Sequence, residues 1–282
     1  MKYPQNRRFS ALFALTLLPA ISLIAAPAQA EVSFTPRATL AFSSYSFTQT
    51  ERPGALPANI NGGTFPKVKF DVVFQILGIG GTFFMDSYYL DIAASKSADE
   101  EDSFEFAPLN FKETFKGDRT DTSITLGRKI LDSRGAVYIG YKTGKSQADG
   151  DQGQSLSFEK KGFFIGGNYS WPVLSSSVIT VNVAYAQLDG DLTEEVTNPG
   201  FISITQSNGL PPLDINASSD ATGLSYSLGF ASRLTDNLSY SVAYEIKSYT
   251  FDSVKDSDPT VITSEEFEET FKGLNLSLFF QF

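Results

Sequence analysis

Apolar and polar residues alternate along most of the chain, and this period of two constrains the fold more than any other feature of the sequence. In residues 66–76 one parity is apolar, while the other includes Lys67, Lys69 and Asp71. Neighbouring residues of a β-strand point to opposite faces, so the pattern predicts a strand with one apolar and one polar face. The pattern recurs in residues 34–42, 87–95, 122–130, 137–144, 163–171, 179–185, 224–231, 239–247 and 274–282.

The connections between these ten segments alternate between short and long. The short ones, residues 78–81, 131–135, 172–177 and 235–237, are built from turn residues. The long ones are polar and fall near residues 48–64, 97–118, 146–156, 188–220 and 253–268. Strict alternation of this kind predicts hairpins that run up and down across one layer.

A two-sheet sandwich also alternates apolar and polar residues, so other features must separate it from a membrane barrel. The polar faces here are rich in Gly, Ser, Thr and Asn with isolated charges, which suits a narrow lumen better than a solvated outer face. Aromatic residues also gather near strand ends, where Tyr169 and Trp171 are candidates for the membrane interface. Both features favour a barrel whose apolar face meets lipid.

The last segment carries an apolar or aromatic residue at every second position, namely Leu274, Leu276, Leu278, Phe280 and Phe282. Here the sequence resembles the outer-membrane β-barrels of Gram-negative bacteria, whose last strand ends in such a pattern with a terminal Phe. The resemblance implies that the barrel-assembly machinery reads this strand as an assembly signal. It also implies contact with the lipid bilayer and its outer-leaflet lipid, and location in the cell outer membrane.

The expected fold is therefore all-β: a closed, antiparallel, up-and-down transmembrane β-barrel in which the first and last strands pair. Closure is required because an unpaired backbone group in hydrocarbon costs several kcal/mol. We expect ten strands. The count would be eight if two weak segments are not strands, and twelve if residues 193–206 form a hairpin that crosses the membrane. We prefer a loop hairpin in water for residues 193–206, because Glu194, Glu195 and Pro199 would be costly against lipid.

The first 30 residues read as a secretory signal peptide, which leaves residues 31–282 for the barrel. Lys2, Arg7 and Arg8 make a basic start, an apolar run follows in residues 11–26, and Ala28-Gln29-Ala30 has the small-x-small pattern of a cleavage site.

Composition excludes several kinds of function. The chain has no Cys and no His, and its formal net charge is −10. Thiolate and Ser-His-Asp catalysis are thereby removed, as is the commonest zinc ligand, and a polyanion such as nucleic acid is a poor partner. Barrel enzymes such as the omptin proteases resemble this chain in architecture, but their mechanisms use histidine. The sequence thus predicts a protein without enzymatic activity or cofactor.

Charged residues on the polar parity are the candidate lumen residues. They are Arg37, Lys67, Lys69, Asp71, Asp91, Asp121, Lys129, Lys142, Lys160, Arg233, Glu245 and Lys247. A narrow barrel leaves little room, so we expect these charges to pair and fill the lumen. In that case acidic extracellular loops would give the protein a structural or surface-interaction role. The alternative is a narrow, porin-like channel with a mildly cationic constriction for small polar or anionic solutes.

The long connections are acidic, and two near-identical motifs, Asp149-Gly150-Asp151 and Asp189-Gly190-Asp191, stand out. The simpler interpretation is solvation of loop tips. The other is divalent-cation binding that bridges to phosphates of the outer-leaflet lipid, although position 12 counted from Asp149 is Lys160 rather than the Glu of an EF-hand.

A faint internal repeat relates two segments that each precede a strand. Residues 111–117 read FKETFKG and residues 267–273 read FEETFKG. No fixed period relates the other strands, so the repeat indicates duplication of a hairpin rather than a solenoid.

Overall fold

The alternating segments form long antiparallel strands in the computed structural model, which describes residues 32–49, 52–53, 63–65, 68–106, 111–197, 215–252, 255–256 and 267–281. The predicted signal peptide, Lys67 and Phe282 lie outside these residues. The strands are β1 (Val32–Gln49), β2 (Arg52–Pro53), β3 (Thr64–Phe65), β4 (Val68–Met85), β5 (Tyr88–Ser97), β6 (Glu100–Phe106), β7 (Phe111–Ile130), β8 (Gly135–Gly150), β9 (Gln154–Leu174), β10 (Ser177–Val196), β11 (Ile215–Arg233), β12 (Leu238–Phe251), β13 (Lys255–Asp256) and β14 (Phe267–Phe280).

Ten of these strands form a closed antiparallel barrel, as predicted. Their order is β10-β9-β8-β7-β5-β4-β1-β14-β12-β11, and β11 pairs again with β10 to complete the ring. The first and last strands, β1 and β14, lie side by side, with Leu40 opposite Leu276. Four short strands lie outside this ring: β6 pairs with β7, β13 pairs with β11, and β2 and β3 form a separate hairpin. None of the described residues forms a helix long and apolar enough to cross a membrane.

The two ends of the barrel differ. At one end, which we call the short-turn end, neighbouring strands are joined by turns at residues 86–87, 131–134, 175–176 and 234–237. Asp86 there has a left-handed φ of 52°, which Asp tolerates well. We call the opposite end the long-connection end. One of its connections is much shorter than the predicted residues 146–156, because β8 runs to Gly150 and β9 starts at Gln154, so that residues 151–153 alone join them.

Near the short-turn end, the outer surface of the barrel is an apolar belt. Leu77 and Ile79 expose 68% and 73% of their surface, far more than any protein core allows. Each barrel strand contributes such a residue: Phe42, Ile79, Ile92, Leu126, Ile139, Ile165, Val183, Leu228, Tyr244 and Leu276. A continuous apolar surface of this kind on a closed barrel is the surface that lipid covers.

Towards the long-connection end, the polarity of both faces inverts. Charged residues take over the outer face, where Lys145 pairs with Glu159 at 2.7 Å and Lys96 pairs with Asp118 at 2.9 Å. On the inner face, aromatic and aliphatic side chains replace the polar ones and form a buried cluster. The strands therefore continue above the apolar belt as a wall that is polar outside and apolar inside.

This inversion corrects one predicted lumen residue. Asp71 is exposed, whereas Val72 and Phe74 beside it are buried. The alternation predicts that the apolar parity of residues 66–76 faces lipid. In β4 above the belt that parity faces inward, so Asp71 lies on the outer face, where its backbone N–H donates to Asp102 Oδ2 at 3.0 Å. Lys69 lies in the same strand, two residues before Asp71.

Candidate functional site in the barrel lumen

Towards the long-connection end, the lumen is filled by a cluster of apolar side chains from most of the barrel strands, which we call the apolar plug. Its rings lie in contact: Tyr45 is 4.9 Å from Phe271 and 5.5 Å from Phe74, and Phe158 is 4.9 Å from Phe251 between ring centroids. The plug consists of Tyr45, Phe47, Val72, Phe74, Phe158, Ala186, Leu188, Leu192, Ala217, Ala221, Tyr249, Phe251 and Phe271. All are buried, with exposures of 8% or less. Aromatic pairs at these spacings pack favourably, so the plug closes the lumen by close packing.

An ion-pair cluster lies directly against the plug. Arg119 donates two hydrogen bonds of 2.7 Å to Asp121, through Nε and Nη2, and its Nη1 donates to Glu269 Oε1 at 3.0 Å. Lys160 donates to the other oxygen of Glu269. The side chains of Arg119, Lys160 and Glu269 expose only 3%, 4% and 0% of their surface. Two cations and two carboxylates thus balance one another, and three of the four, all but Asp121, are buried.

Cations of the cluster also stack on rings of the plug. The Arg119 guanidinium lies 4.4 Å from the centre of the Phe271 ring, and Lys160 Nζ lies 4.1 Å from that of Tyr249. Cation–π contacts of this length add attraction where water is excluded. Plug and cluster are therefore one packed unit.

On the side of this unit that faces the short-turn end, a cavity of about 360 Å³ occupies the lumen. On its wall, Arg37 donates to both oxygens of Asp91 at 3.1 and 3.2 Å, and Lys247 pairs with Glu245 at 2.9 Å. Lys142 differs from these cations. It donates a hydrogen bond to Tyr249 Oη, and within the described part of the chain no carboxylate lies at ion-pair distance from it.

The structure brings most of the predicted lumen charges together. Seven of them line the cavity or pair with a residue that does: Arg37, Asp91, Asp121, Lys142, Lys160, Glu245 and Lys247. Lys129 lies nearer the short-turn end, with its Nζ 4.2 Å from the centre of the Phe84 ring. Arg233 is the last residue of β11 and is exposed at that same end.

Two central members of the cluster were missed by the sequence analysis. Arg119 and Glu269 each come directly after a segment predicted to be a long connection, residues 97–118 and 253–268. The internal repeat was a signal that could have found Glu269. It aligns Glu269 with Glu113, and these are among the most buried side chains of the described residues, at 0% and 1% exposure. Glu113 Oε1 accepts hydrogen bonds from the backbone N–H groups of Gln152 and Gln154 at 3.3 and 3.1 Å.

The sequence predicts that both acidic motifs lie at loop tips. For Asp189 and Asp191 this prediction is wrong. Asp189 and Asp191 belong to β10 and are exposed on its outer face, where Asp191 lies 3.6 Å from Lys161. Asp149 is the last residue but one of β8, and Asp151 in the following turn accepts a hydrogen bond from the Thr114 backbone N–H at 3.0 Å. Among the described residues, no group of three or more Asp or Glu is arranged to hold a metal ion. Divalent-cation binding by these pairs stays a prediction.

The predicted interface residues, and those assembly residues that the structure describes, lie on the outer face. The rings of Tyr169 and Trp171 are 4.6 Å apart near the short-turn end. Leu274, Leu276, Leu278 and Phe280 all expose their side chains on β14.

Comparison with known proteins connects the chain to solved structures through its fold. No family model matches it, and no curated protein matches it significantly in sequence. The outer membrane protease OmpT of Escherichia coli superposes with a TM-score of 0.52 at 12% identity, covering 89% of this chain and 97% of OmpT. The translocator domain of the autotransporter NalP from Neisseria meningitidis gives a TM-score of 0.43 at 8% identity, covering 88% of each chain. Neisserial surface protein A gives 0.35 at 10% identity, covering 89% of this chain and 99% of that one. The likeness to OmpT shows the β-barrel fold that the alternation predicts.

Proposed function

We propose that this chain is a non-conducting, non-enzymatic barrel of the outer membrane whose wall extends beyond the bilayer on the outside of the cell. The observation that carries the proposal is the apolar plug, which occupies the lumen above the ion-pair cluster. In this orientation the short turns face the periplasm, and the long, acidic connections face the exterior.

The plug supports a closed lumen for an energetic reason. An ion crossing it would have to shed its water among side chains such as Phe74, Leu188 and Phe251, which offer no polar group in exchange. The ion-pair cluster below adds a second barrier, because its charges already satisfy one another. Opening the lumen would require both layers to rearrange.

The polar outer wall supports a structural or surface-interaction role. Exposed ion pairs, such as Lys116 with Asp99 at 3.3 Å and Lys145 with Glu159, lie on the wall above the belt. Their position suits water and the charged headgroups of outer-leaflet lipid. In this proposal the wall holds the long connections away from the membrane surface, and β14 serves the barrel-assembly machinery as the assembly signal.

The absence of histidine and cysteine from the sequence supports a non-enzymatic role. OmpT is named as a protease, but its 12% identity with this chain supports no transfer of that activity. The alternative is a narrow channel for anionic solutes. It is supported by the cavity, whose wall carries Arg37, Lys142 and Lys247, and it would need the plug to move.

Planar-bilayer recording of the purified protein tests the proposal. We expect no stable unit currents. The double variant Phe158→Ala/Phe251→Ala removes two touching rings from the plug and should produce small currents if the plug is the barrier. Heat-dependent gel mobility verifies that the variant is folded. Stable, large unit currents from the wild-type protein would overturn the proposal in favour of the channel.

A further inference from the structure

We propose that the lumenal cavity binds a small organic monoanion, a carboxylate with a compact apolar body, through Lys142. The inference goes beyond the proposed function, because both a closed and a conducting barrel could hold such a ligand. It rests on the charge balance of the cavity, the nature of its walls and its accessibility.

The charges around the cavity do not balance. Among the residues that the structure describes, five cations line it, namely Arg37, Arg119, Lys142, Lys160 and Lys247. Four carboxylates pair with them, namely Asp91, Asp121, Glu245 and Glu269. One positive charge is left over, and the pairings place it on Lys142. A single excess cation facing a cavity suits a ligand with one negative charge, because a charge inside a protein is costly unless it is paired.

The surroundings of Lys142 fix its position. The hydrogen bond to Tyr249 Oη holds the ammonium group, and it lies 4.3 Å from the centre of the Tyr249 ring and 5.9 Å from that of Phe164. A hydroxyl and two rings orient a cation without neutralising it. An ammonium group has three donors, so at least one stays available to a carboxylate oxygen.

The remaining walls determine what else the ligand must offer. Apolar lining comes from Ala41, Ile76, Phe164, Ala184 and Ala186, and polar lining from residues that include Asn182 and Asn275. The Asn275 amide donates to Glu245 at 3.1 Å, and Asn182 accepts from the Tyr138 hydroxyl at 2.5 Å, so both have partners already. A volume of about 360 Å³ lies within the range of small-molecule sites. The walls therefore favour one carboxylate and an apolar body over a fully hydrated inorganic ion.

The exposure of the charged side chains indicates where the ligand enters. Glu269, beside the plug, is fully buried. Asp121 exposes 39% of its side chain, Lys247 38% and Arg37 22%, although all three lie within the barrel. These three side chains reach the cavity, whereas the plug closes the lumen on its other side, so the ligand would enter from the short-turn end, which the proposed orientation places in the periplasm.

Isothermal titration of the purified protein in detergent micelles tests the inference, with benzoate as the probe. Benzamide has nearly the same shape without the charge, and acetate has the charge without the ring. We expect benzoate to bind at least about tenfold more tightly than either, because a charged hydrogen bond and apolar burial each contribute that much. Titration into empty micelles corrects for partition into detergent.

Lys142→Met removes the charge and keeps most of the side-chain length. It should weaken benzoate binding by about tenfold or more and leave benzamide binding unchanged. Lys145→Met is the matched control, since Lys145 lies on the same strand but pairs with Glu159 on the outer face. Equal binding of benzoate by wild type and Lys142→Met, equal binding of benzoate and benzamide, or no benzoate binding at all would each overturn the inference. None of these results bears on conductance, so failure of this inference and failure of the proposed function remain distinguishable.

Discussion

Neutralising Glu269 should destabilise the barrel far more than neutralising a glutamate on its outer wall. Glu269 is fully buried and is shared by two cations. In Glu269→Gln, Arg119 keeps its two hydrogen bonds to Asp121, but Lys160 loses its carboxylate. Leaving one buried charge of an ion pair without its partner costs about 3–5 kcal/mol.

The matched control is Glu159→Gln. Glu159 belongs to the same strand as Lys160 and pairs with Lys145 at 2.7 Å, but 55% of its side chain is exposed. Exposed pairs of this kind contribute about 0–1 kcal/mol. Urea unfolding in lipid vesicles, followed by aromatic fluorescence, measures both variants. With an m-value of about 2 kcal/mol/M, the midpoint should fall by roughly 2 M for Glu269→Gln and by less than about 0.5 M for Glu159→Gln.

A second substitution identifies the source of the loss. Adding Lys160→Met to Glu269→Gln removes the stranded charge and should recover at least half of the lost stability, because a neutral, well-packed replacement of a buried pair is tolerated. If the two single variants shift the midpoint equally, or if Lys160→Met recovers nothing, the cluster is hydrated and the lumen is not sealed as we describe.

Two further predictions concern orientation and packing. Single cysteines placed in this cysteine-free chain should report orientation: Lys145→Cys should react with a bulky, membrane-impermeant maleimide on intact cells, whereas Asp132→Cys in a short turn should react only after the outer membrane is permeabilised. Labelling of Asp132→Cys alone on intact cells would reverse the orientation. Gly150→Ala should destabilise the barrel by about 1–3 kcal/mol in urea unfolding, because its Cβ would meet the buried Glu113 carboxylate. Gly229→Ala, whose nearest neighbour would lie at 3.3 Å, should cost clearly less, and equal losses would argue against a fixed Glu113.

The sequence predicted the ring of strands and much of the lumen, because both follow from local alternation. Arg37, Asp91, Lys142 and Lys247 were placed in the lumen from parity alone. The alternation within a strand could not reveal which charged residues form ion pairs with one another. Arg119 and Glu269 are 150 residues apart and meet only because the barrel closes and its lumen is narrow. Their pairing depends on strand order and register, which no local pattern contains.

The plug was missed for a different reason: each strand was assigned a single apolar face. In β4 the buried apolar residues Val72 and Phe74 are even-numbered, whereas the exposed Leu77 and Ile79 are odd-numbered. The apolar parity therefore switches within one uninterrupted strand. In β14, Phe271 is buried inside and Leu274 onward is exposed outside, so the same switch occurs there.

The switch follows from the change of solvent along the barrel. Where lipid surrounds the wall, the apolar side chains gain by facing outward, and polar groups are left to satisfy one another in the lumen. Where water surrounds the wall, burial inside is the favourable choice for the same kind of side chain. The ion-pair cluster lies next to the switch. From Leu274 towards the long-connection end, the outer face of β14 carries Lys272, Thr270 and Glu268. The inner face of the same stretch carries Phe271 and Glu269. A switch of parity repeated from strand to strand therefore sets the depth of the barrel in the bilayer and closes its lumen at the same level.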